Sequence, residues 1–166
     1  MEMKLDMIKT IKRLSGQGQN DILKNKLREW LQTKAFTLNE LLSHCREGTF
    51  QLSGGLLNKL GSMYSSGADG LAEDCYAAYT FFEMAAELGH AGGHANCAQY
   101  YFDGLAPGGK NNELALVFCS KAIELGLDKH MLMAEILFDM QQYAQAVTWL
   151  HKYVYFIFHT SYIQHS

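Results

Sequence analysis

The chain has 166 residues, 48% of them hydrophobic and 12% aromatic, which is about one domain with enough apolar content to build its own core. Its formal charge of −3 divides into nine Lys/Arg against six Asp/Glu over residues 1–50 and five against eleven over 51–166, a basic excess too small and too interrupted for a nucleic-acid footprint. A single proline, Pro107, and a high content of Ala, Leu and Met speak against a sandwich or barrel and for helices.

The opening MEMKLDMIKTIKRLSGQ carries lysines but no uninterrupted apolar run of the kind a secretory signal needs, and no segment approaches the ~20 apolar residues of a membrane span. A cytoplasmic protein is therefore expected, or one delivered to a host cell by a signal not readable here. Residues 1–50 read as three helices. The first covers about 3–14, with Met7, Ile8, Ile11 and Leu14 on one side, and SGQGQN breaks it. The second begins at Asn20 or Asp21 and carries the stripe Ile22, Leu23, Leu27, Trp30 and Leu31. Thr37 to Glu40 spells a capping box that opens the third, with Leu38, Leu41, Leu42 and Cys45 facing inward.

From residue 53 onward the chain repeats. At a single shift of 37, Tyr64 falls on Tyr101, Gly67 on Gly104, Ala78 on Ala115, Phe81 on Phe118, Ala85 on Ala122 and Gly89 on Gly126. Each copy holds two amphipathic stripes: Leu56, Leu57, Leu60, Met63 and Tyr64, then Ala78, Phe81, Phe82, Ala85 and Leu88. Small residues at Gly61, Ala98, Ala78 and Ala115 predict close helix approach, and Gly89 and Gly126 suit the left-handed residue that ends a helix. In a third, shortened copy Phe138 lies 37 beyond Tyr101, whereas Ala146 lies only 31 beyond Ala115. The expected units are 1–50 (N-terminal helices), 53–89, 90–126 and 127–158 (three repeats) and 159–166 (tail).

The stretch LGSMYSSGADGLAEDCYAAYTFFEMAAELGHA resembles the Sel-1-like repeat, a longer-looped relative of the tetratricopeptide repeat. It carries that family's Leu60–Gly61 pair, Tyr64, the loop residues Gly67, Gly70 and Asp74, then Ala78, and the close Ala85, Ala86, Gly89 and His90. The resemblance covers roughly residues 53–153. It implies an all-α, right-handed α/α solenoid of helical hairpins, whose first helices line a concave groove that binds a protein or peptide. The last two N-terminal helices would be a degenerate repeat or a cap, and a cap is favoured because an end repeat otherwise exposes its stacking face.

The stretch GLAPGGKN, Gly104 to Asn111, matches a phosphate-binding loop at Gly104, Gly109 and Lys110 and departs from it at Asn111. It occupies the interhelical loop of the second repeat and follows a helix, whereas a phosphate loop follows a strand, so it is read as a turn. His90, His94 and Cys97, at i, i+4 and i+7, have a spacing that zinc accepts. The repeat gives them other work, with His90 at a turn and Cys97 in the place of Leu60. His44 and Cys45 are adjacent on a helix, so their side chains diverge and do not make a nucleophile–base pair. No two of Cys45, Cys75, Cys97 and Cys119 are related by the 37-residue shift, and free thiols are expected.

With no catalytic constellation, cofactor site or metal site in view, the expected function is protein–protein interaction rather than catalysis. Candidate groove residues are Asn58, Lys59, Ser62 and Ser66 in the first copy, Asn96, Gln99 and Asp103 in the second, and Met133, Ile136 and Asp139 in the third. A second candidate surface is the apolar C-terminal segment YVYFIF, represented by Tyr155 and Phe158. It would be covered by a second copy in a homodimer, by a partner, or by a fold-back of His159 to Ser166. The alternative function is a dedicated inhibitor or immunity-type protein that blocks one enzyme.

Overall fold

The computed structural model describes residues 2–163. Among them are nine α-helices and no strand: α1 (Glu2–Gly16), α2 (Asn20–Gln32), α3 (Leu38–Arg46), α4 (Gly54–Ser66), α5 (Cys75–Glu87), α6 (Ala91–Asp103), α7 (Asn112–Glu124), α8 (His130–Asp139) and α9 (Tyr143–Ile163). A short 3-10 turn, Ala68–Gly70, sits between α4 and α5. From α4 onward each helix packs on the next, and α4 also touches α6.

The 37-residue shift is reproduced by the backbone itself. The bounds of α6 and α7 lie 37 residues beyond those of α4 and α5. Ser53 and His90 cap the first helix of each pair with a side-chain acceptor, and Asp74 and Asn111 cap the second. Capping works because the first helical N–H groups have no carbonyl partner within the helix. Gly67 and Gly104 end α4 and α6 in the left-handed region, at φ 62° and 78°. At the other turn the His90 N–H bonds the Ala85 carbonyl, as the Leu127 N–H bonds that of Ala122, each across 3.0 Å.

Helix faces follow the expected stripes with two exceptions. Leu56, Leu57, Leu60, Met63, Tyr64, Ala78, Phe81, Phe82 and Ala85 are buried, while Leu88 is exposed because it is the residue after the last turn of α5. In α2 the stripe is Leu23, Leu27 and Leu31, and Ile22 points out. The capping box of α3 is present, with the Thr37 N–H donating to Glu40 Oε2 at 2.8 Å and the Glu40 N–H to Thr37 Oγ1 at 3.2 Å. One core runs from Met7 of α1 through Leu23, Leu41, Leu56 and Phe81 to Tyr100, so the first three helices share it with α4, α5 and α6. A second core joins Ala98, Ala115 and Cys119 to Leu132, Met133, Ile136 and Leu137 of α8.

The third copy slips. Met133, Ala134 and Ile136 of α8 are buried, and lie 36 residues beyond the buried Cys97, Ala98 and Tyr100 of α6, not 37. One residue of slip turns a helix by about 100°. α9 runs unbroken to Ile163, so residues 159–163 continue the helix instead of turning back; 164–166, the rest of the expected fold-back, lie outside the described residues.

Candidate functional site

Asn58, Lys59, Ser62 and Ser66 of α4 and Asn96, Gln99 and Asp103 of α6 are half-buried or exposed, a polar row joined across the two helices by the Asn96–Asn58 bond. Lys59 Nζ of α4 pairs with Asp21 Oδ1 of α2 at 2.9 Å, and this contact holds the Asp21 carboxyl below its usual range. Asn96 Nδ2 of α6 donates to Asn58 Oδ1 of α4 at 2.9 Å. Gln99 Nε2 donates to both carboxylate oxygens of Asp103, at 3.1 and 3.0 Å. The Ser62 hydroxyl donates back to the Asn58 carbonyl and that of Ser66 to the Ser62 carbonyl, so both protons are spent within α4. Asp139 accepts from Asn112 Nδ2 and pairs with Lys110 at 2.9 Å, and both contacts lower its pKa, the Asn112 bond foremost.

Met133 and Ile136 do not join this row. They are 2% and 0% exposed, packed in the second core, because the slip of α8 rotates them from the expected groove face to the inside. At the 36-residue shift the positions matching Gln99 and Asp103 are Glu135 and Asp139, both exposed.

The glycine-rich stretch lies between α6 and α7, with no strand before it. Its Lys110 ammonium is taken up by Asp139 and lies 4.8 Å from the centre of the Phe102 ring. Asn111 caps α7 by accepting the Leu114 N–H, so the amides a phosphate would want are partly engaged.

His90, His94 and Cys97 do not converge. His90 Nδ1 accepts the Gly93 N–H as the cap of α6, His94 lies against Phe118 with its pKa lowered first by burial and then by Lys121, and Cys97 is buried. Among the described residues no three His, Cys, Asp or Glu side chains gather as a metal site would need. Burial pushes the thiols of Cys45, Cys97 and Cys119 up to about 12, which removes the thiolate that nucleophilic chemistry requires. His44 packs on Phe36 and Phe50.

Two further features stand apart from the polar row. A cavity of about 700 Å³ opens between the end of α1, the 46–53 connection and α5, with Glu83, Glu87 and Arg46 around Leu57, Met84 and Leu88. Its walls come from residues up to 73 positions apart, Ser15 to Leu88, and no local sequence signal marks them. At the C-terminal end, Tyr155 and Phe158 are 70% and 72% exposed. They are part of a wider apolar surface that includes Phe138, Tyr143, Val147, Leu150 and Val154. A cavity of about 370 Å³ between Phe102, Met131, Phe138 and Leu150 adjoins it. No helix among the described residues is long and apolar enough to cross a membrane.

The sequence matches no protein-family model and no curated protein.

Proposed function

We infer that the chain is a protein-interaction module: a Sel-1-like α/α solenoid of three hairpins, closed at its start by the N-terminal helices. The observation that carries this reading is the recurrence of caps, left-handed glycines and helix bounds at one 37-residue shift, together with a polar row on the first helices of successive pairs. Helical pairs repeated in this way present one face many times over, which suits an elongated ligand better than a small molecule.

The ligand is an extended peptide segment of a partner protein. Asn58, Asn96 and Gln99 carry side-chain amides with both donor and acceptor atoms, the complement of a peptide main chain. Lys59 and Asp103 stand on the same helices and would select charge on the partner, and Asp139 continues the row. The reading gives the protein no catalytic step, cofactor or metal, and places it in the cytoplasm. Asp21 and Asp139 owe their lowered pKa values to surface pairing, Asp21 with Lys59 and Asp139 with Asn112 and Lys110.

Selection from a random peptide library on the immobilised full-length protein tests the proposal. Enriched peptides should bind in calorimetry and lose about tenfold or more in affinity on Asn58→Ala with Asn96→Ala. If the only binder is one tightly held enzyme, the inhibitor reading replaces this one.

A further inference from the structure

On the last helix, Tyr143, Val147, Leu150, Val154 and Ile157 follow one another at steps of four, three, four and three residues. That alternation is the 3.5-residue period of a two-stranded seam, with the exposed Tyr155 and Phe158 extending the apolar surface beside it. All five are exposed, Val147 and Val154 at 49% and 47%. In heptad terms the two valines take the a positions, and Tyr143, Leu150 and Ile157 the d positions. β-branched residues at a with Leu at d favour pairing in twos.

The position equivalent to Leu150 inside the molecule is covered. Leu150 lies 31 residues beyond Cys119, which lies 37 beyond Phe82, and both of those are buried. Likewise Ala146 matches Ala115, and Ala134 of α8 matches Ala98 at the 36-residue shift. Ala98, Ala115 and Cys119 are closed over by Leu132, Met133, Ile136 and Leu137 of α8. Ala134 and Ala146 are buried as well, and with the exposed Leu150 they floor the 370 Å³ cavity, whose walls include Met131, Glu135, Phe138 and Asp139. The slot that α8 fills one step earlier stands open at this end.

We propose that this end face binds a second copy of the chain, α9 against α9 in a two-stranded seam flanked by Met131 and Phe138 of each copy. The stripe is uncharged: the one Lys, Arg, Asp or Glu within α9 is Lys152, which sits 4.0 Å from the centre of the Trp149 ring, off the seam. The stripe itself therefore has no charge to repel its own copy, while Glu135 and Asp139 line the adjoining cavity and Asp139 is paired with Lys110; a two-fold interface demands self-complementarity along the seam. The exposed parts of the stripe with Met131 and Phe138 come to roughly 600 Å² per copy, so a pair buries roughly 1,200 Å², which reaches the size of a specific interface.

Sedimentation equilibrium of the full chain from about 1 to about 100 µM should give twice the chain mass at the upper end and dissociation towards the lower. Val147→Glu with Val154→Glu should weaken the dimer at least about tenfold with unchanged helical circular dichroism. Should the charged pair lose helix content, Val147→Thr with Val154→Thr keeps the shape and should still weaken it. Lys59→Glu, on the polar row, should leave the dimer intact. A monomer at every concentration, a dimer insensitive to both pairs, or one lost on Lys59→Glu overturns the proposal. Peptide binding by the polar row is read separately and stands or falls on its own.

Discussion

Asn96 reaches across from α6 to donate its side-chain amide to the side-chain oxygen Oδ1 of Asn58 on α4 at 2.9 Å, tying the first helices of two successive pairs through their polar face. Both residues are half-buried, so removing one leaves the other partly dry and unsatisfied. Asn58→Ala and Asn96→Ala should each cost about 1 kcal/mol in urea unfolding, and a double-mutant cycle should return a coupling of about 0.5–1.5 kcal/mol. Additive losses would mean that the bond contributes nothing to the stack.

Gly61 lies where α4 packs against Ala78 and Phe82 of α5. A Cβ there would lie 2.6 Å from the Phe82 ring and 3.1 Å from the Ala78 carbonyl oxygen. At Gly93 of α6 it would meet the backbone nitrogen of Ala86 at 2.6 Å. Gly61→Ala should destabilise by about 1–3 kcal/mol, because the ring can yield partly, and Gly93→Ala by more, because backbone cannot. Gly55→Ala, whose nearest neighbour is 3.7 Å away, serves as the control and should stabilise by about 0.5–1 kcal/mol. Thermal unfolding reads all three.

These positions also show what could be read from the sequence. The cap at Thr37, the helix ends at Gly89 and Gly126 and the close approach at Gly61 were legible because each depends on local chemistry: a side-chain acceptor three residues before an N–H, a left-handed glycine, a missing side chain. The face of α8 was not. Aligning Phe138 with Tyr101, both aromatic, gives a shift of 37, but the connection from Glu124 to His130 differs in length from that between Glu87 and Ala91. The helix therefore enters rotated, burying Met133 and Ile136. The α9 stripe was present in YAQAVTWLHKYV, yet sequence alone cannot tell an open seam from a covered one.

Glu40 gives the fold an acid-sensitive joint. A hydrogen bond from Lys4, then bonds from the Thr37 backbone and hydroxyl, lower its pKa from 4.5 to about 2. Since the folded pKa lies below the unfolded one, the stabilisation is complete above about 4.5 and is lost as pH falls towards about 2. Glu40→Gln should be less stable than the parent at neutral pH, and the gap should close across that window. A gap that stays constant with pH would assign the loss to something other than the carboxylate charge.

The cysteines should differ in reactivity. Cys97 and Cys119 are buried, and Cys45 is half-buried with its thiol pushed up to about 12, so a thiol reagent near neutral pH should label them slowly. Cys75, half-exposed at the start of α5, should react first. Mass spectrometry after a short pulse reads the order, and labelling in denaturant without reductant should find four free thiols. Fewer than four would reveal a disulfide and an oxidising compartment.

Peptide binding by the polar row is tested most directly by amide chemical-shift mapping with a library-selected peptide. The largest shifts should fall on Asn58, Lys59, Asn96, Gln99 and Asp103, with the core amides around Leu57 and Cys97 moving less. Shifts confined to the 700 Å³ cavity around Glu83, Glu87 and Arg46, or no shifts at saturating peptide, would contradict it.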